Sequence, residues 1–459
     1  MFSGRTSELK YLNTYYDRKG SQILVVYGHK NTGKTSLMFR FLEDKPGAYY
    51  LARSASEREQ RYQWGKELAR KENDLPEYPS FKQIFSALTQ EKILKKVIVI
   101  DEFQNIVKSD GSFIYELVEF VRSIPAGKRV MVVLCSSSLG WVENSMVNKI
   151  GEAAYDLSGF LKIRGLSFED MLDFFPGFST EQCITAYAVL GGNPGFWEQF
   201  DDRKSIKENI CQSILEKEAF LYGEGQRIVE EELRETGIYN TILASISAGR
   251  HKLNELYLHT GFSRAKISVY LKNLMELELV EKVCSYDPEG TSSRGREGAQ
   301  KGIYRISNHF VNFYFTYLYP NISSLQTMRP EEFYDRFIAP SLKNYVSDCF
   351  QEICRQQLER WNKRGRLPIE IKKMGEWVGK MGDIHFVGQA EDGKTLIGFC
   401  SWDKPMMRYD DYEWLLFCAQ KAQIRTDFVY LFSARSFDEK LNLEAKIKQN
   451  LKLISMDEL

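Results

Sequence analysis

The hydrophobic and polar positions of the first 170 or so residues follow a repeating order. Short apolar runs, rich in β-branched and aromatic residues, lie at 23–27, 48–51, 97–100 and 130–134. The stretches between them are longer and place apolar residues at helical spacing. Short continuous apolar runs that alternate with helices are typical of parallel strands buried on both faces. The pattern therefore predicts a three-layer α/β domain.

The rest of the chain follows different patterns of hydrophobic and polar residues. Residues from 166 to 235 are helical in pattern and are broken once, by the sequence GGNPG at 191–195. A small helical unit that ends in a hairpin follows, and the last section mixes helices with two strand-like runs. Because 459 residues exceed one ordinary core, we predict domains at 1–165, 166–235, 236–320 and 321–459.

Composition narrows the class of protein. The chain has 62 basic and 62 acidic side chains, so net charge gives no reason to expect nucleic-acid binding and any basic patch must be local. Its eight cysteines form no CxxC pair and only five histidines accompany them, which favours reduced thiols over a zinc site. No apolar run approaches the roughly 20 residues that span a bilayer, and the first ten residues lack a signal-peptide layout. These features predict a cytoplasmic protein without a membrane partner.

A phosphate-binding motif follows the first apolar run directly. Residues 28–35 read GHKNTGKT, and a helical pattern begins immediately afterwards. Glycines allow backbone N–H groups to close around a β-phosphate, and the helix amino terminus adds a favourable field. Lys34 is expected to bridge the β- and γ-phosphates, and the Thr35 hydroxyl to ligate Mg²⁺. The predicted nucleotide-binding set is Gly28, His29, Lys30, Asn31, Thr32, Gly33, Lys34, Thr35 and Ser36.

The third apolar run ends in two carboxylates, as residues 97–102 read VIVIDE. Asp101 is placed to hold Mg²⁺ through water, and Glu102 to act as the general base on the attacking water. A base beside the metal favours hydrolysis over transfer to a small substrate. The predicted cofactors are ATP and Mg²⁺, with Lys34 and Glu102 as catalytic residues.

Three serines follow the fourth apolar run, at 136–138. In a three-layer sheet, the end of this strand lies between the phosphate motif and the acidic pair. Ser136 or Ser137 is then placed to hydrogen-bond the γ-phosphate or the attacking water, and Ser137 joins the predicted catalytic set. The alternative is a serine-rich turn that caps the next helix.

These residues resemble the prokaryotic AAA+ and STAND-type ATPases known as the archaeal ATPase family. The resemblance extends along the whole chain in order, and the nucleotide motifs are its specific part. Residues 2–9 (FSGRTSEL) are similar to the family's opening segment beside the adenine and ribose, which adds Arg5 to the nucleotide-binding set. DEFQ at 101–104, the serines at 136–137 and LGGNP at 190–194 are similar to its acidic, sensor and lid motifs.

The resemblance implies an AAA+-like P-loop NTPase domain, a helical lid, a winged helix-turn-helix and a mixed α/β nuclease-like carboxy-terminal domain. One departure concerns the arginine that family members often carry after the sensor. This chain has Gly151-Glu152 there, so Arg129, Arg164 or Arg5 must serve instead, or hydrolysis is slow. An arginine finger contributes roughly 10³ to 10⁵ in rate, so we predict a slow or partner-stimulated switch.

Residues 242–283 resemble the helices and the first wing strand (279–283) of a winged helix, and a second strand at 302–306 completes the wing. A first helix stops at Gly261, Ser263 caps a second, and Ile267, Leu271, Leu274 and Leu277 recur at core spacing. The cations of the second helix and of the wing are candidates for contacts with duplex DNA, with a protein contact as the alternative. They are Arg264, Lys266, Lys272, Arg294, Arg296 and Lys301.

The carboxy-terminal domain matches the nuclease pattern only in part. Glu352 and Asp383 occupy positions for metal-binding acids, but the following strand reads Phe399-Cys400-Ser401 where Glu-x-Lys belongs. Phenylalanine cannot ligate a metal, and Lys404 is shifted by three positions. We predict a retained fold without nuclease chemistry. Tryptophans nearby are predicted to lie in its core: Trp361, Trp377, Trp402 and Trp414.

The main hypothesis is an ATP-hydrolysing conformational switch, coupled to DNA or to a protein partner that the sequence does not identify. One alternative is a DNA-binding regulator that holds nucleotide structurally. The other is an ATP-gated nuclease.

Overall fold

The structure, a computed structural model, describes residues 4–69, 75–89, 94–287, 302–379 and 382–459. The chain divides into two compact units. The first comprises Met1–Leu166 with Asn193–Gly195, and the second comprises Ser167–Gly192 with Phe196–Leu459. The finer division into four domains stays a prediction.

The first unit is built on a five-stranded sheet in the order β2-β3-β4-β1-β5. Every neighbouring pair in it is parallel. The first four strands confirm the predicted apolar runs, whereas β5 was not predicted. The strands are β1 (Gln22–Tyr27), β2 (Gly47–Leu51), β3 (Lys95–Asp101), β4 (Arg129–Ser136) and β5 (Gly159–Lys162).

Helices cover both faces of this sheet. Successive residues of β1 alternate between the faces, because Leu24 packs in one apolar cluster and Val25 in the other. The unit is therefore the three-layer α/β domain that the pattern predicted. Its helices are α1 (Thr6–Asp17), α2 (Lys34–Leu42), α3 (Glu57–Ala69), α4 (Phe81–Leu88), α5 (Gln104–Ser109), α6 (Phe113–Arg122), α7 (Leu139–Trp141) and α8 (Val147–Ile150), with further helical turns at Val142–Met146 and Gly151–Asp156.

The second unit begins with helices. Ser179 and Ser205 begin two of them, since each side chain accepts a hydrogen bond from a first-turn N–H. These helices are α9 (Phe168–Phe174), α10 (Thr180–Leu190), α11 (Pro194–Trp197, whose first two residues belong to the first unit), α12 (Ile206–Ile210) and α13 (Glu224–Glu232), with a π segment at Cys211–Leu215.

A three-helix group and a hairpin follow at the positions predicted for the winged helix. Ser263 caps the third helix by accepting from the Lys266 N–H, and Ile267, Leu271 and Leu274 are buried. The two strands pair antiparallel. The elements are α14 (Thr236–Ser247), α15 (Leu253–Thr260), α16 (Arg264–Glu276), β6 (Val280–Cys284) and β7 (Gly302–Ile306). The predicted wing cations Arg294, Arg296 and Lys301 lie outside the described residues.

Helices then lead into the last domain. They are α17 (His309–Phe313), α18 (Ile322–Thr327), α19 (Pro330–Phe333) and α20 (Ala339–Lys363), with short helical segments at Tyr314–Leu318, Tyr319–Asn321 and Tyr334–Ile338. Glu352 lies on α20, as predicted, and its carboxylate is 3.2 Å from Nε2 of His309.

The carboxy-terminal sheet is mixed, in the order β14-β12-β10-β9-β8. Its strands β10, β12 and β14 are parallel, whereas β8 and β9 pair antiparallel. The elements are β8 (Lys373–Val378), β9 (Asp383–Gln389), β10 (Thr395–Ser401), β11 (Met406–Met407), α21 (Tyr409–Lys421), β12 (Phe428–Ser433), β13 (Ser436–Phe437), α22 (Glu439–Ile447) and β14 (Leu451–Ser455), followed by a turn at Met456–Glu458.

The prediction that four tryptophans lie in the core is wrong in part. Trp402 is buried at 2% exposure, but Trp414 is 45% exposed, and Trp361 and Trp377 are half-buried. Trp414 lies on the outer side of α21 and stacks on Phe417 instead. Within the described ranges, no helix combines the length and the apolar character that crossing a bilayer requires.

Candidate functional site

The loop between β1 and α2 carries the phosphate motif, and two glycines shape it. A Cβ on Gly28 would lie 2.2 Å from the carbonyl oxygen of Ile163, so only glycine fits there. Gly33 has a φ of 85° and directly precedes α2. Because α2 begins at Lys34, the N–H groups of its first turn have no helical carbonyl to donate to. The loop thus presents donors at a helix amino terminus, as anion binding requires.

The Lys34 side chain is held inside this loop. It is 5% exposed, and its ammonium group donates to the carbonyl oxygens of Gly28 at 2.9 Å and His29 at 2.7 Å. A buried ammonium is costly unless it is hydrogen-bonded. The loop therefore fixes a cation next to the N–H donors.

Asp101, at the end of β3, receives donors from three elements. The hydroxyls of Thr35 on α2 and Tyr49 on β2 both donate to its Oδ2 at 2.8 Å. The N–H of Glu102 donates to its Oδ1 at 3.0 Å. Burial, together with the nearby Asp101 charge, raises the pKa of Tyr49 well above 10, so Tyr49 remains a donor. No motif in the sequence marks Tyr49 as a site residue, because it lies on the edge strand β2.

Glu102 takes a left-handed conformation, with φ of 54°. Its Oε2 accepts from the Ser137 hydroxyl at 2.7 Å, from the Ser137 N–H at 3.2 Å and from the Gln104 amide. Ser136 faces elsewhere, and its hydroxyl oxygen accepts from the Ser138 N–H at 3.2 Å. Of the two serines left open by the sequence, the structure brings Ser137 to the acid. Gln104 lies within the quoted DEFQ motif, but its contact with Glu102 was not predicted.

The arginines proposed as substitutes for a finger lie in different places. Arg5 is buried, and it donates to the carbonyl oxygens of Thr32 at 2.8 Å and Arg164 at 2.7 Å while pairing with Glu8 at 2.8 Å. It therefore stabilises the phosphate loop through the carbonyl oxygen of Thr32. Arg129 begins β4, roughly 23 Å of strand from Ser136 at its other end, so it cannot serve. The exposed side chain of Arg164 stays a candidate.

Residues 193–195 belong to the first unit although they lie far along the chain. The N–H of Gly195 donates to the carbonyl oxygen of Asn31 at 3.2 Å, and the Asn193 amide donates to that of Lys30 at 3.4 Å. A Cβ on Gly195 would lie 2.9 Å from the Cβ of Asn31. The predicted lid turn thus packs directly on the phosphate loop.

The residues present fit Mg²⁺ bound together with a nucleotide. Within the described residues, no group of three or more His, Cys, Asp or Glu side chains could hold a metal ion, so protein ligands alone do not make a site. Thr35 and Asp101 supply hydroxyl and carboxylate oxygens next to the N–H donors of the loop, and Mg²⁺ is commonly held by one or two such groups plus phosphates.

The residues of the partial nuclease pattern do not come together as a metal site. Asp383 begins β9 and accepts from the Gly379 N–H at 3.0 Å, while Lys404 pairs with Asp411 at 2.6 Å. Phe399 stacks on His385 with ring centroids 4.3 Å apart. These contacts fill the place where nuclease chemistry would need a carboxylate and a free ammonium.

A strand-loop-helix phosphate cradle beside a paired acidic strand end, on a parallel sheet of this order, defines a P-loop nucleotide-binding ATPase domain. Residues 2–200 match the family described as the ATPase domain predominantly from Archaea. The chain thus carries an archaeal-type ATPase domain of that family. Residues 314–413 match a second family, described as archaeal and bacterial proteins of unknown function.

Other similarities extend beyond the domain. The uncharacterized protein MJECL04 of Methanocaldococcus jannaschii is 26% identical over 408 residues, which is 86% of each chain. The Walker-type ATPase paby2304 of Pyrococcus abyssi is 14% identical with a TM-score of 0.48, covering 68% of this chain and 96% of that one. The ORC2 protein of Aeropyrum pernix is 15% identical with a TM-score of 0.47, covering 70% and 94%. Both scores lie below 0.5, a level from which no shared function follows.

Proposed function

We propose that this chain hydrolyses ATP to ADP and phosphate as a slow conformational switch, with a partner that accelerates it. The observation that carries the proposal is the meeting of Thr35, from the helix after the phosphate loop, with Asp101, from the end of β3, at 2.8 Å. These two side chains come from separate parts of the chain, as the Mg²⁺ site of a P-loop ATPase requires.

In this proposal the loop N–H groups and Lys34 would hold the β- and γ-phosphates, and Thr35 and Asp101 would hold Mg²⁺. Mg²⁺ supplies charge compensation at those phosphates. Glu102 orients and deprotonates the attacking water, and Ser137 holds the Glu102 carboxylate until a partner releases it.

The way in which Glu102 is held supports the proposed slow rate. Three donors converge on its Oε2, so that oxygen is occupied by the protein's own groups. A partner that moves Ser137 or Gln104 would free it. The exposed Glu152 at the position where relatives often carry an arginine agrees with low basal turnover, because no cation is supplied there.

The test is phosphate release from Mg-ATP by the wild type, Lys34→Ala and Glu102→Gln, with nucleotide binding measured in parallel. We expect Lys34→Ala to weaken binding and turnover, and Glu102→Gln to retain binding while turnover falls by about 10²- to 10⁴-fold. Lys10→Ala and Glu43→Gln alter exposed charges of the same unit and serve as matched controls. Full turnover in Glu102→Gln would contradict the role of base.

A second function, contact with duplex DNA, is favoured by the exposed side of α16. Lys266 and Lys272 lie exposed on that helix, which holds the position of the recognition helix in the predicted winged helix. Two contacts weigh against it, since Arg264 donates to the Asn254 side chain at 2.6 Å and Lys272 is 3.6 Å from Glu276.

Duplex binding by wild type and by a Lys266→Ala, Lys272→Ala double variant tests this contact across a salt series. DNA contact predicts weaker binding and a shallower salt dependence in the double variant, because fewer counterions are released. Lys421→Ala, an exposed lysine on α21, is the control. Equal binding by all three proteins would exclude a DNA contact by these two lysines and leave a protein contact as the alternative.

A further inference from the structure

A pocket of about 250 Å³ lies in the carboxy-terminal domain, away from the acids of the nuclease pattern. Strands β12 and β14 supply part of its lining, and the chain just after α20 supplies the rest. The lining residues are Arg366, Leu367, Pro368, Phe428, Tyr430, Gln449, Asn450 and Lys452.

The sheet register brings the polar and aromatic members together. Tyr430 of β12 is paired directly with Lys452 of β14, and paired residues point to the same face of a sheet. Phe428 lies two residues before Tyr430, so it shares that face. The pocket wall is therefore set by regular strand structure.

Tyr430 is the buried polar group of this pocket. It is 6% exposed, its ring packs 6.4 Å from that of Trp361 on α20, and its hydroxyl forms no hydrogen bond with any described residue. Burial raises the pKa of Tyr430, so the hydroxyl keeps its proton. The hydroxyl is open to the pocket and not sealed in the core, so it is available to donate a hydrogen bond to a ligand there.

The charges at the pocket have one sign. Arg366 and Lys452 are exposed at its rim, neither forms an ion pair with a described residue, and no carboxylate is among the lining residues. The amides of Gln449 and Asn450 add neutral polar groups, one of which donates to the Asp427 carbonyl oxygen at 2.8 Å. The pocket is thus suited to an anion.

We propose that this pocket binds a nucleoside monophosphate, either free or as the 5′-phosphorylated end of a nucleic-acid strand. Its volume lies below the roughly 300–1,000 Å³ of sites for larger ligands, so it suits a ligand no larger than a single nucleotide. Arg366 and Lys452 face the phosphate, Tyr430 donates a hydrogen bond, and Phe428 with Pro368 contacts the ring. The proposal does not depend on hydrolysis at the phosphate loop.

Calorimetric titration of the full chain with AMP, GMP, CMP and UMP, with inorganic phosphate as a separate probe, tests it. We expect saturable binding of at least one nucleotide, and a rise in Kd of about tenfold for each of Arg366→Ala and Lys452→Ala, the factor equivalent to about 1.4 kcal/mol. Tyr430→Phe keeps the ring and should raise Kd by a few-fold. Arg366 and Lys452 are exposed, so thermal unfolding should be unchanged.

Two controls separate this pocket from the phosphate loop. Lys446→Ala removes an exposed cation of α22 and should leave Kd unchanged, as should Lys34→Ala, because a monophosphate lacks the β-phosphate that Lys34 is proposed to hold. Loss of monophosphate binding in Lys34→Ala, or no saturable binding of any nucleotide, overturns the proposal.

Inorganic phosphate binding as tightly as the nucleotides would overturn the assignment of a nucleoside. Two oligonucleotides that differ only in a 5′-phosphate identify the source. Tighter binding of the phosphorylated strand than of the free nucleotide indicates a strand end, and the reverse indicates a free nucleotide.

Discussion

The sequence predicts a Mg²⁺ site at the end of β3 and a degenerate nuclease pattern at the end of β10. The two strand ends differ in the side chains that surround them. At the end of β3, hydroxyls from α2 and β2 converge on Asp101, and Ser137 from the turn after β4 reaches Glu102. At the end of β10, Phe399 packs on His385, and the His385 Nδ1 lies 3.1 Å from the Cys400 Sγ.

The strands of the two sheets are alike. The difference is whether donors from other elements converge on the acids at the strand end. Both sheets place parallel strands next to each other, but only the first follows a strand with a glycine loop and a helix amino terminus. Donors from that loop can meet a phosphate that the strand-end acids also approach. At the second sheet the aromatic ring of Phe399 takes the place of a ligating carboxylate. Among the described residues, the remaining acids therefore do not converge on a common metal ion.

The largest effect is expected at Glu102, and its absence would contradict this comparison. Glu102→Gln should lower ATP turnover by about 10²- to 10⁴-fold, whereas Asp383→Asn should leave both turnover and nuclease background unchanged. Phosphate release and cleavage of a labelled duplex in Mg²⁺ measure the two. Metal-dependent cleavage that disappears in Asp383→Asn would show that the second sheet has kept its chemistry.

A second prediction concerns Glu352, an acid of the nuclease pattern that pairs with His309 and not with a metal ion. Burial raises its pKa and His309 lowers it, with the net value about 2. Burial lowers the pKa of His309 and Glu352 raises it, with the net value well above 6.5. The carboxylate's contribution is lost as pH falls from 4.5 toward 2, and that of the imidazolium is lost as pH rises through its raised pKa.

Glu352→Gln should therefore lower the free energy of unfolding most between about pH 4.5 and 6.5. A third of the Glu352 side chain is exposed, so screening limits the loss to about 1–2 kcal/mol. Urea denaturation across pH measures it. Glu359→Gln, in an exposed pair on the same helix, should cost under about 0.5 kcal/mol; equal losses in both variants would remove the special role of Glu352.

Tyr49→Phe sharpens the account of the first site. It removes one of the two hydroxyls on Asp101 Oδ2, and we expect the Mg²⁺ concentration for half-maximal turnover to change about 3- to 10-fold, as loss of a hydrogen bond to a charged group implies. Turnover at saturating Mg²⁺ should change less. Tyr155→Phe, at a fully exposed ring, is the control, and an unchanged Mg²⁺ dependence would contradict a positioning role for Tyr49.

The smallest effect is expected from Gln104→Met, which keeps the volume of the buried side chain but removes its contact with Glu102. If the three donors restrain the base, basal turnover should rise by about 2- to 5-fold, roughly the factor of one weak hydrogen bond. A fall in turnover would mean that Gln104 positions Glu102 productively.

The sequence predicted the elements whose evidence is local. Four strands, the phosphate loop, the Ser263 cap and the position of Glu352 on a long helix all follow from periodicity or capping. Strand β5 has only four residues, Gly159–Lys162, without a continuous apolar run, so its pattern was too weak to recognise.

The features that were missed depend on distant parts of the chain. The direction of the Tyr49 hydroxyl and the choice of Ser137 over Ser136 are set by how neighbouring strands align, which no single segment encodes. Trp414 has the same helical spacing as its buried neighbours but faces outward, because spacing alone does not say which side of α21 meets the sheet.

Because of the turn at Asn193–Gly195, two separate segments of the sequence encode the nucleotide-binding unit. A fragment cut at Leu166 would lack the N–H that meets the Asn31 carbonyl, so it is an incomplete substitute for the enzyme. Exchange of ATPase modules between relatives by recombination at that boundary would likewise pair a loop with a foreign turn. Inheritance of the phosphate loop and of this turn is expected to be linked, although some 160 codons separate them.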